Sequence, residues 1–257
     1  MINIRIFFSK TDRAKYISHL DLNRCMARAF QRSGLPLWHT EGFNPHLYMT
    51  YALALSLGFE STCESVDVRL LEEVPFEQVK ERINACLPRD IRVLHVQEPV
   101  MKPERIAWGD YQIEIRGGAL LEPFQELMAQ EQILVTKKSK KGEQQVDIKP
   151  LVQVLDQEQK GESLFFTLRC ATGIHTNINP MLLLDALFQK VGMERPWLSV
   201  KRTAIWTKEM EKFQSSLALA GKVWYADKAC NDRCHFAAGF NAKSFDIEAD
   251  SPLPHGW

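Results

Sequence analysis

The chain has 257 residues, of which 45% are hydrophobic and 25% are charged, proportions typical of a soluble globular protein with one large or two small domains. Its 32 basic and 32 acidic side chains balance, which excludes a protein coated throughout in positive charge, so an anionic partner must meet a local patch. No apolar run approaches the ~18 residues of a membrane span, and the first residues do not form a secretory signal. The six scattered cysteines are typical of reduced thiols, so we expect a cytoplasmic protein with no membrane partner.

The first part of the chain, residues 1–98, predicts a β-α-β-β-α-β order, the ferredoxin-like arrangement. Its clearest element is a helix at 19–33, in which apolar residues recur at helical spacing from Leu22 to Phe30. The predicted elements are a strand at 2–8, that helix, a strand-like segment at 35–40, an apolar strand or buried loop at 51–57, a strand at 65–71, a helix at 75–87 and a strand at 91–96.

After a proline-containing linker at 97–107, the same order is predicted again over residues 108–207. The predicted elements are strands at 111–115, 133–136, 145–148, 164–170 and 199–206, with helices at 119–130 and 179–191. Residues 208–257 are expected to form a peripheral tail, with a possible helix at 209–220 and a cysteine pair, Cys230 and Cys234, for which no metal is expected. We therefore expect an α+β protein of two tandem ferredoxin-like units with a C-terminal extension.

Residues 13–60 concentrate the polar chemistry of the chain. Ser18 and Asp21 have the spacing of an N-terminal capping pair, which places His19 in the first turn of the helix. The following Glu41–His46 segment, EGFNPH, contains a glycine and an Asn-Pro pair, which favour a turn that presents its side chains rigidly.

The SHLD and EGFNPH motifs lie within KYISHLDLNR and AFQRSGLPLWHTEGFNPHLYMTYALALSLG, and these stretches resemble a bacterial radical-SAM-associated family of unknown function. Members of that family occur alone or fused behind a cobalamin-binding radical SAM protein, and the resemblance covers about residues 1–207. It implies a radical SAM enzyme as partner. Iron–sulfur cluster, S-adenosylmethionine and cobalamin would then belong to the partner, and we expect no cofactor in this chain.

Two basic patches predict a surface for RNA, because phosphate contacts supply much of the affinity for nucleic acids. The first is the polar face of the helix at 19–33, preceded by Arg13 and Lys15, and the second is a lysine-rich turn at 137–149. The expected binding residues are Ser18, Asp21, Arg24, Arg28, Arg32, Phe43, Asn44, Lys137, Lys138, Lys140, Lys141 and Lys149. Five polar positions at element ends in the second unit either extend a groove between the units or only cap and pair: Asp147, Lys149, Asn177, Asn179 and Arg202.

Three functions are open at this point. The favoured one is a non-catalytic RNA-binding or adaptor module that works with a radical SAM enzyme in the modification of tRNA or rRNA. The second is a metal-independent endoribonuclease, in which His19, His46 and Glu41 act as acid and base. The third is a protein-interaction subunit without RNA contact. A metal at His19, Asp21, Glu41 and His46 is not expected, because their spacing matches no established ligand pattern.

Overall fold

The protein structure, a computed structural model, describes residues 1–139, 142–174 and 176–213. The chain divides into two units, Met1–Ser215 and Ser216–Trp257, and all described residues lie in the first. The predicted cysteine pair, Cys230 and Cys234, lies outside the described residues, as does most of the predicted helix at 209–220. Within the described part, residues 209–213 are not helical and contain a bridge from Lys212 back to Trp206.

The first half of the described chain contains four strands and two helices. They are β1 (Ile2–Lys10), α1 (His19–Arg32), β2 (Met49–Tyr51), β3 (Glu60–Leu70), α2 (Phe76–Asn84) and β4 (Ile91–Gln97). The strands lie in the order β4-β1-β3-β2, and every neighbouring pair is antiparallel. Residue Ile6 at the centre of β1 pairs with Val66 on one side and Val96 on the other.

The second half follows a short 3-10 turn in the linker. Its elements are β5 (Ile106–Arg116), α3 (Leu121–Ala129), β6 (Leu134–Ser139), β7 (Gly142–Asp147), β8 (Val152–Lys160), β9 (Ser163–Ala171), α4 (Met181–Val191) and β10 (Trp197–Thr207). Four of its strands lie in the antiparallel order β10-β5-β9-β8, while β6 and β7 form a separate hairpin. A short parallel pairing of β3 with β10 joins the halves, so eight of the described strands form one continuous sheet.

The predicted mixed α+β class is confirmed, with two local corrections. Strand β8 was not predicted, because it lies at the sheet edge with most of its side chains exposed and therefore lacks apolar alternation. The segment 35–40 is not a strand and contributes only isolated bridges at Leu37 and His39. The predicted boundaries at 98 and 108 remain a prediction.

Each half has its own hydrophobic cluster between sheet and helices. In the first half, Ile4, Ile6 and Phe8 of β1 pack in one cluster with the buried face of α1. That face consists of Leu22, Met26, Ala29 and Phe30. In the second half, α3 and α4 bury their apolar residues in a second cluster with β5 and β9. The helices are therefore held by burial of apolar area, and their outer faces are left for polar residues.

Candidate functional site

The start of α1 is fixed by the predicted capping pair, which the structure confirms. The Ser18 hydroxyl oxygen accepts a hydrogen bond from the Asp21 amide at 3.1 Å and donates one to Asp21 Oδ2 at 2.7 Å. Arg24 Nη1 donates to Asp21 Oδ1 at 3.3 Å. The hydrogen bond from Ser18, aided by Arg24, lowers the pKa of the Asp21 carboxyl. The first turn of α1 thus carries one fixed negative charge beside its arginines.

The outer face of α1 forms one wall of a cleft with a volume of about 610 Å³, which we call the arginine cleft. Its lining residues are Asp21, Arg24, Cys25, Arg28 and Arg32 from α1, and Cys86, Leu87 and Pro88 from the turn after α2. Because α1 turns once every 3.6 residues, arginines spaced four residues apart project from the same side. The cleft brings together four of the predicted binding residues: Asp21, Arg24, Arg28 and Arg32.

The three arginines of the cleft differ in their partners. Arg24 pairs with Asp21, and Arg32 Nη2 donates to the backbone carbonyl of Cys86 at 2.6 Å. Arg28 makes no hydrogen bond or ion pair with any residue in the described part of the chain. With three guanidinium groups and one carboxylate in its lining, the cleft has a net positive charge that favours an anionic ligand.

The far wall of the cleft is fixed by hydrogen bonds to the backbone. Arg82 of α2 donates to the carbonyl of Ser33 at 3.0 Å and to that of Gly34 at 2.5 Å, which anchors the end of α1. The side chain of Asn84 exchanges two hydrogen bonds with the backbone of Val93, at 3.0 and 2.8 Å. These contacts join α2 to the end of α1 and to β4, on either side of the turn at 85–90 that forms this wall of the cleft.

Two free thiols lie in the same lining. Cys25 and Cys86 are both half-buried, whereas the other free cysteines among the described residues, Cys63 and Cys170, are fully buried. Burial raises the pKa of the Cys25 thiol, and the nearby Arg32 and Arg28 act in the opposite direction. The two thiols supply a chemical label for occupancy of the cleft.

His19 lies outside the arginine cleft, on another flank of α1. Its ring packs edge-on against the Tyr51 ring, with centroids 5.0 Å apart. The hydroxyl of Tyr51 and the side-chain amide oxygen Oδ1 of Asn23 are buried and have no hydrogen-bond partner among the described residues. Burial raises the pKa of Tyr51. His19 therefore contacts the sheet edge and is not a lining residue of the cleft.

The EGFNPH segment forms an exposed loop that is pinned at its ends. His46 donates its amide to Thr40 Oγ1 at 3.1 Å, and its Nδ1 lies 2.9 Å from the same hydroxyl. Gly42 has a φ of 122°, a conformation that favours glycine, and the following Phe43 is fully exposed. Within the described residues no contact joins His19 to His46 or Glu41. The predicted acid–base set therefore remains a prediction.

In the lysine-rich turn, the side-chain amines of Lys137 and Lys149 donate hydrogen bonds to backbone carbonyls of this protein. Lys137 Nζ donates to the carbonyl of Asn177 at 3.0 Å, and Lys149 Nζ donates to the carbonyl of Met128. Lys138 lies in β6, where its backbone pairs with β7. The remaining two predicted residues, Lys140 and Lys141, lie outside the described residues.

Three of the other polar positions cap and pair. Asp147 Oδ1 accepts from the amides of Ile133 and Lys149, and Asn179 Oδ1 accepts from the Met181 amide at the start of α4. Arg202 forms a buried ion pair, described next.

Arg202 is buried where the halves meet, together with two charged residues that the sequence did not single out, Glu64 and Lys10. Arg202 Nη2 of β10 lies 2.6 Å from Glu64 Oε1 of β3, and both side chains are only 2% exposed. Lys10 of β1 is buried near this pair, and burial lowers the pKa of its ammonium. Only a charged residue at an inward-facing strand position could have signalled this cluster, and the sequence does not show which strands are neighbours.

No three histidine, cysteine, aspartate or glutamate side chains are grouped to hold a metal ion in the part of the chain that the structure describes. Nor does any described helix combine the length and apolar character needed to cross a bilayer.

Comparison with known families matches residues 3–180 to a family described as an uncharacterized protein conserved in bacteria (DUF2344). The match covers more than half of the chain, so this protein belongs to that family. Among curated proteins, no match to the chain is found.

Proposed function

We propose that this member of an uncharacterized bacterial family is a non-catalytic RNA-binding module, and that the arginine cleft is its RNA-contacting surface. The carrying observation is that three arginines line one side of a cleft of about 610 Å³ and that one of them, Arg28, has no partner among the described residues. Guanidinium groups bind phosphate through paired hydrogen bonds, and their charge is retained at every physiological pH.

The size and charge of the cleft support RNA over a small anion. A volume of about 610 Å³ exceeds the space that one phosphate group needs and lies within the range of sites for larger ligands. Arg24 and Arg28 are exposed on the outer face of α1, so the phosphates of a polymer can reach them from solvent. Since the whole chain has no net charge, binding of a polyanion must depend on a local basic surface, and the arginine cleft is one.

We further propose that the module presents tRNA or rRNA to a radical SAM enzyme in the cytoplasm. The resemblance of the SHLD and EGFNPH stretches to radical-SAM-associated proteins supports this partner. Iron–sulfur cluster, S-adenosylmethionine and cobalamin would be supplied by that enzyme. The free state of all four described cysteines fits a reducing compartment.

We also infer that the two halves are tandem ferredoxin-like units. The support comes from the strand orders, β4-β1-β3-β2 and β10-β5-β9-β8. Among the four strands that each half contributes to the shared sheet, the first lies between the fourth and the third in both halves. Helices α1 and α2 in one half, and α3 and α4 in the other, connect the strands in corresponding places.

A native purification at low salt tests the proposed function. The purified protein is scored for bound RNA and bound proteins, the RNA is sequenced, and its retention is followed as salt is raised. We expect RNA that is released steeply with added salt, since each phosphate contact releases counterions. A protein partner recovered reproducibly without RNA would contradict the proposal and favour an interaction subunit.

A further inference from the structure

We propose that the arginine cleft holds a single-stranded stretch of RNA, with its phosphates on α1 and its unpaired bases against the opposite wall. This inference rests on the proposed function and specifies the form of RNA that the site takes. It follows from the unequal chemistry of the two walls.

The α1 wall is charged. Arg24, Arg28 and Arg32 follow one another at four-residue intervals, which corresponds to about 6 Å along the helix axis for each step. Successive phosphates of an extended strand are separated by a similar distance. A strand that runs along α1 can therefore place consecutive phosphates near consecutive arginines.

The opposite wall is apolar. It consists of Cys86, Leu87 and Pro88, and it offers no charged side chain to the cleft. Leu87 is half-buried and packs against the core of the first half, whereas Pro88 is exposed. Such a wall suits the flat, weakly polar faces of nucleobases, which proteins stack against aromatic and apolar side chains.

A duplex would use only one of these walls. Double-stranded RNA stacks its bases inside the helix and offers phosphates and 2′-hydroxyls to a protein. An unpaired strand can present phosphates to one side and base faces to the other. The pairing of a cationic wall with an apolar wall therefore favours the single strand.

Two variants separate the contributions of the walls. Arg28→Gln removes the unpartnered cation, and we expect the slope of log K against log salt to decrease in magnitude by about 0.7, the value for one phosphate contact to a single strand. Pro88→Ser changes the exposed part of the apolar wall, and we expect about a fivefold loss of single-strand affinity with the salt slope unchanged. Leu87→Ser is a second variant of that wall, used if its melting temperature matches that of the wild type.

The binding experiment uses the full chain and a fluorescent 12-nucleotide RNA, alone or annealed to its complement. We expect the single strand to bind at least tenfold more tightly than the duplex. Bound single strand should also slow the reaction of Cys25 and Cys86 with a maleimide, followed for each cysteine separately by mass spectrometry because the full chain has six cysteines.

The outcomes distinguish this inference from the proposed function. Equal binding of both RNA forms that still depends on Arg28 would overturn the single-strand inference and leave RNA binding intact. Single-strand binding that ignores both Arg28 and Pro88 and leaves the two cleft thiols reactive would overturn the assignment to this cleft. Failure of both RNA forms to bind would overturn the proposed function as well.

Discussion

The first helices of the two halves occupy corresponding places in the chain but carry opposite charge. Helix α1 follows β1 and presents Arg24, Arg28 and Arg32 to a cleft. Helix α3 follows β5 and carries two glutamates and no basic residue in its sequence LEPFQELMA. Both bury an apolar face against the sheet. The two halves therefore share their order of elements, but only the outer face of α1 carries the arginines of the candidate site.

The charged residues of α1 and α3 also differ in whether they find partners of opposite charge. In the second half, Glu126 of α3 pairs with Lys190 of α4 at 3.0 Å, so opposite charges meet between neighbouring helices. In the first half, Arg28 has no such partner among the described residues. Arg28 is one of several such cations in the described chain, and its place beside Arg24 and Arg32 in one cleft is what favours an anionic ligand there.

The largest expected effect concerns the contact that joins the two halves. Arg202→Met or Glu64→Gln alone would leave one member of a buried ion pair without its partner, and we expect the free energy of unfolding to decrease by about 3–5 kcal/mol. Urea unfolding of each variant measures this loss.

The double variant Glu64→Gln with Arg202→Met provides the control. It removes both charges, and we expect it to be more stable than either single variant, because no uncompensated buried charge remains. Losses below about 1 kcal/mol in both single variants would show that the pair does not join the halves energetically.

The next effect is a pH dependence that belongs to the first half. The ring of His95 stacks on Phe7 with centroids 4.3 Å apart, and burial, with a smaller contribution from Lys80, lowers its pKa from 6.5 to about 4. Below pH 6.5 His95 becomes protonated in the unfolded chain, whereas in the folded chain it stays neutral until the pH approaches 4. Stability is therefore complete above pH 6.5 and decreases as the pH falls toward 4, by about 2 kcal/mol after allowance for solvent screening.

His95→Phe keeps an aromatic ring on Phe7 and removes the titrating group. Urea unfolding at several pH values between 4 and 7 should show a shallower decline for this variant than for the wild type. Identical pH profiles would contradict the burial of a neutral imidazole at this position.

A smaller effect is expected at the start of α1. Ser18→Ala removes the side-chain cap that α1 has and that α3, which begins after Leu120, does not have. We expect a loss of about 1 kcal/mol in the free energy of unfolding, measured by thermal melting followed by circular dichroism. Ser18→Asn, which can also cap a helix, should restore most of the loss, and an unchanged melting temperature for Ser18→Ala would contradict this role.

The smallest effect is expected for the histidines. In His19→Ala with His46→Ala, RNA affinity should change by less than about twofold, because neither ring lines the cleft and a change of that size is below 0.5 kcal/mol. Incubation of wild-type protein with RNA should yield no cleavage products on a denaturing gel. Cleavage by the wild type that the double variant abolishes would instead support the endoribonuclease.

The sequence predicted the local features better than the long-range ones. The α1 face, the Ser18–Asp21 cap and the positions of all four described helices follow from spacing within a short stretch of chain. Strand β8 could not be predicted because an exposed edge strand has no apolar alternation.

The candidate site shows the same limit. The arginines could be predicted to share a helix face, but their apolar counterpart at Cys86–Pro88 is contributed by a turn some 54 residues away along the chain, as the Arg32–Cys86 hydrogen bond shows. The separation of His19 from Arg28 could be predicted, because nine residues correspond to two and a half helical turns and place the two on opposite sides of α1. The contact of His19 with Tyr51 is tertiary, and local spacing does not encode it.

The most direct test of the central claim compares charge reversal in the two halves. RNA binding is measured at 50 mM salt for the wild type, for Arg28→Glu in the arginine cleft, and for Arg195→Glu. Arg195 is an exposed arginine of the second half that pairs with Asp185 at 2.6 Å. We expect Arg28→Glu to weaken binding at least tenfold, because it removes one phosphate contact and introduces repulsion, and we expect Arg195→Glu to stay within twofold of the wild type. Equal losses in the two variants, or no loss in Arg28→Glu, would contradict the assignment of RNA binding to the first half.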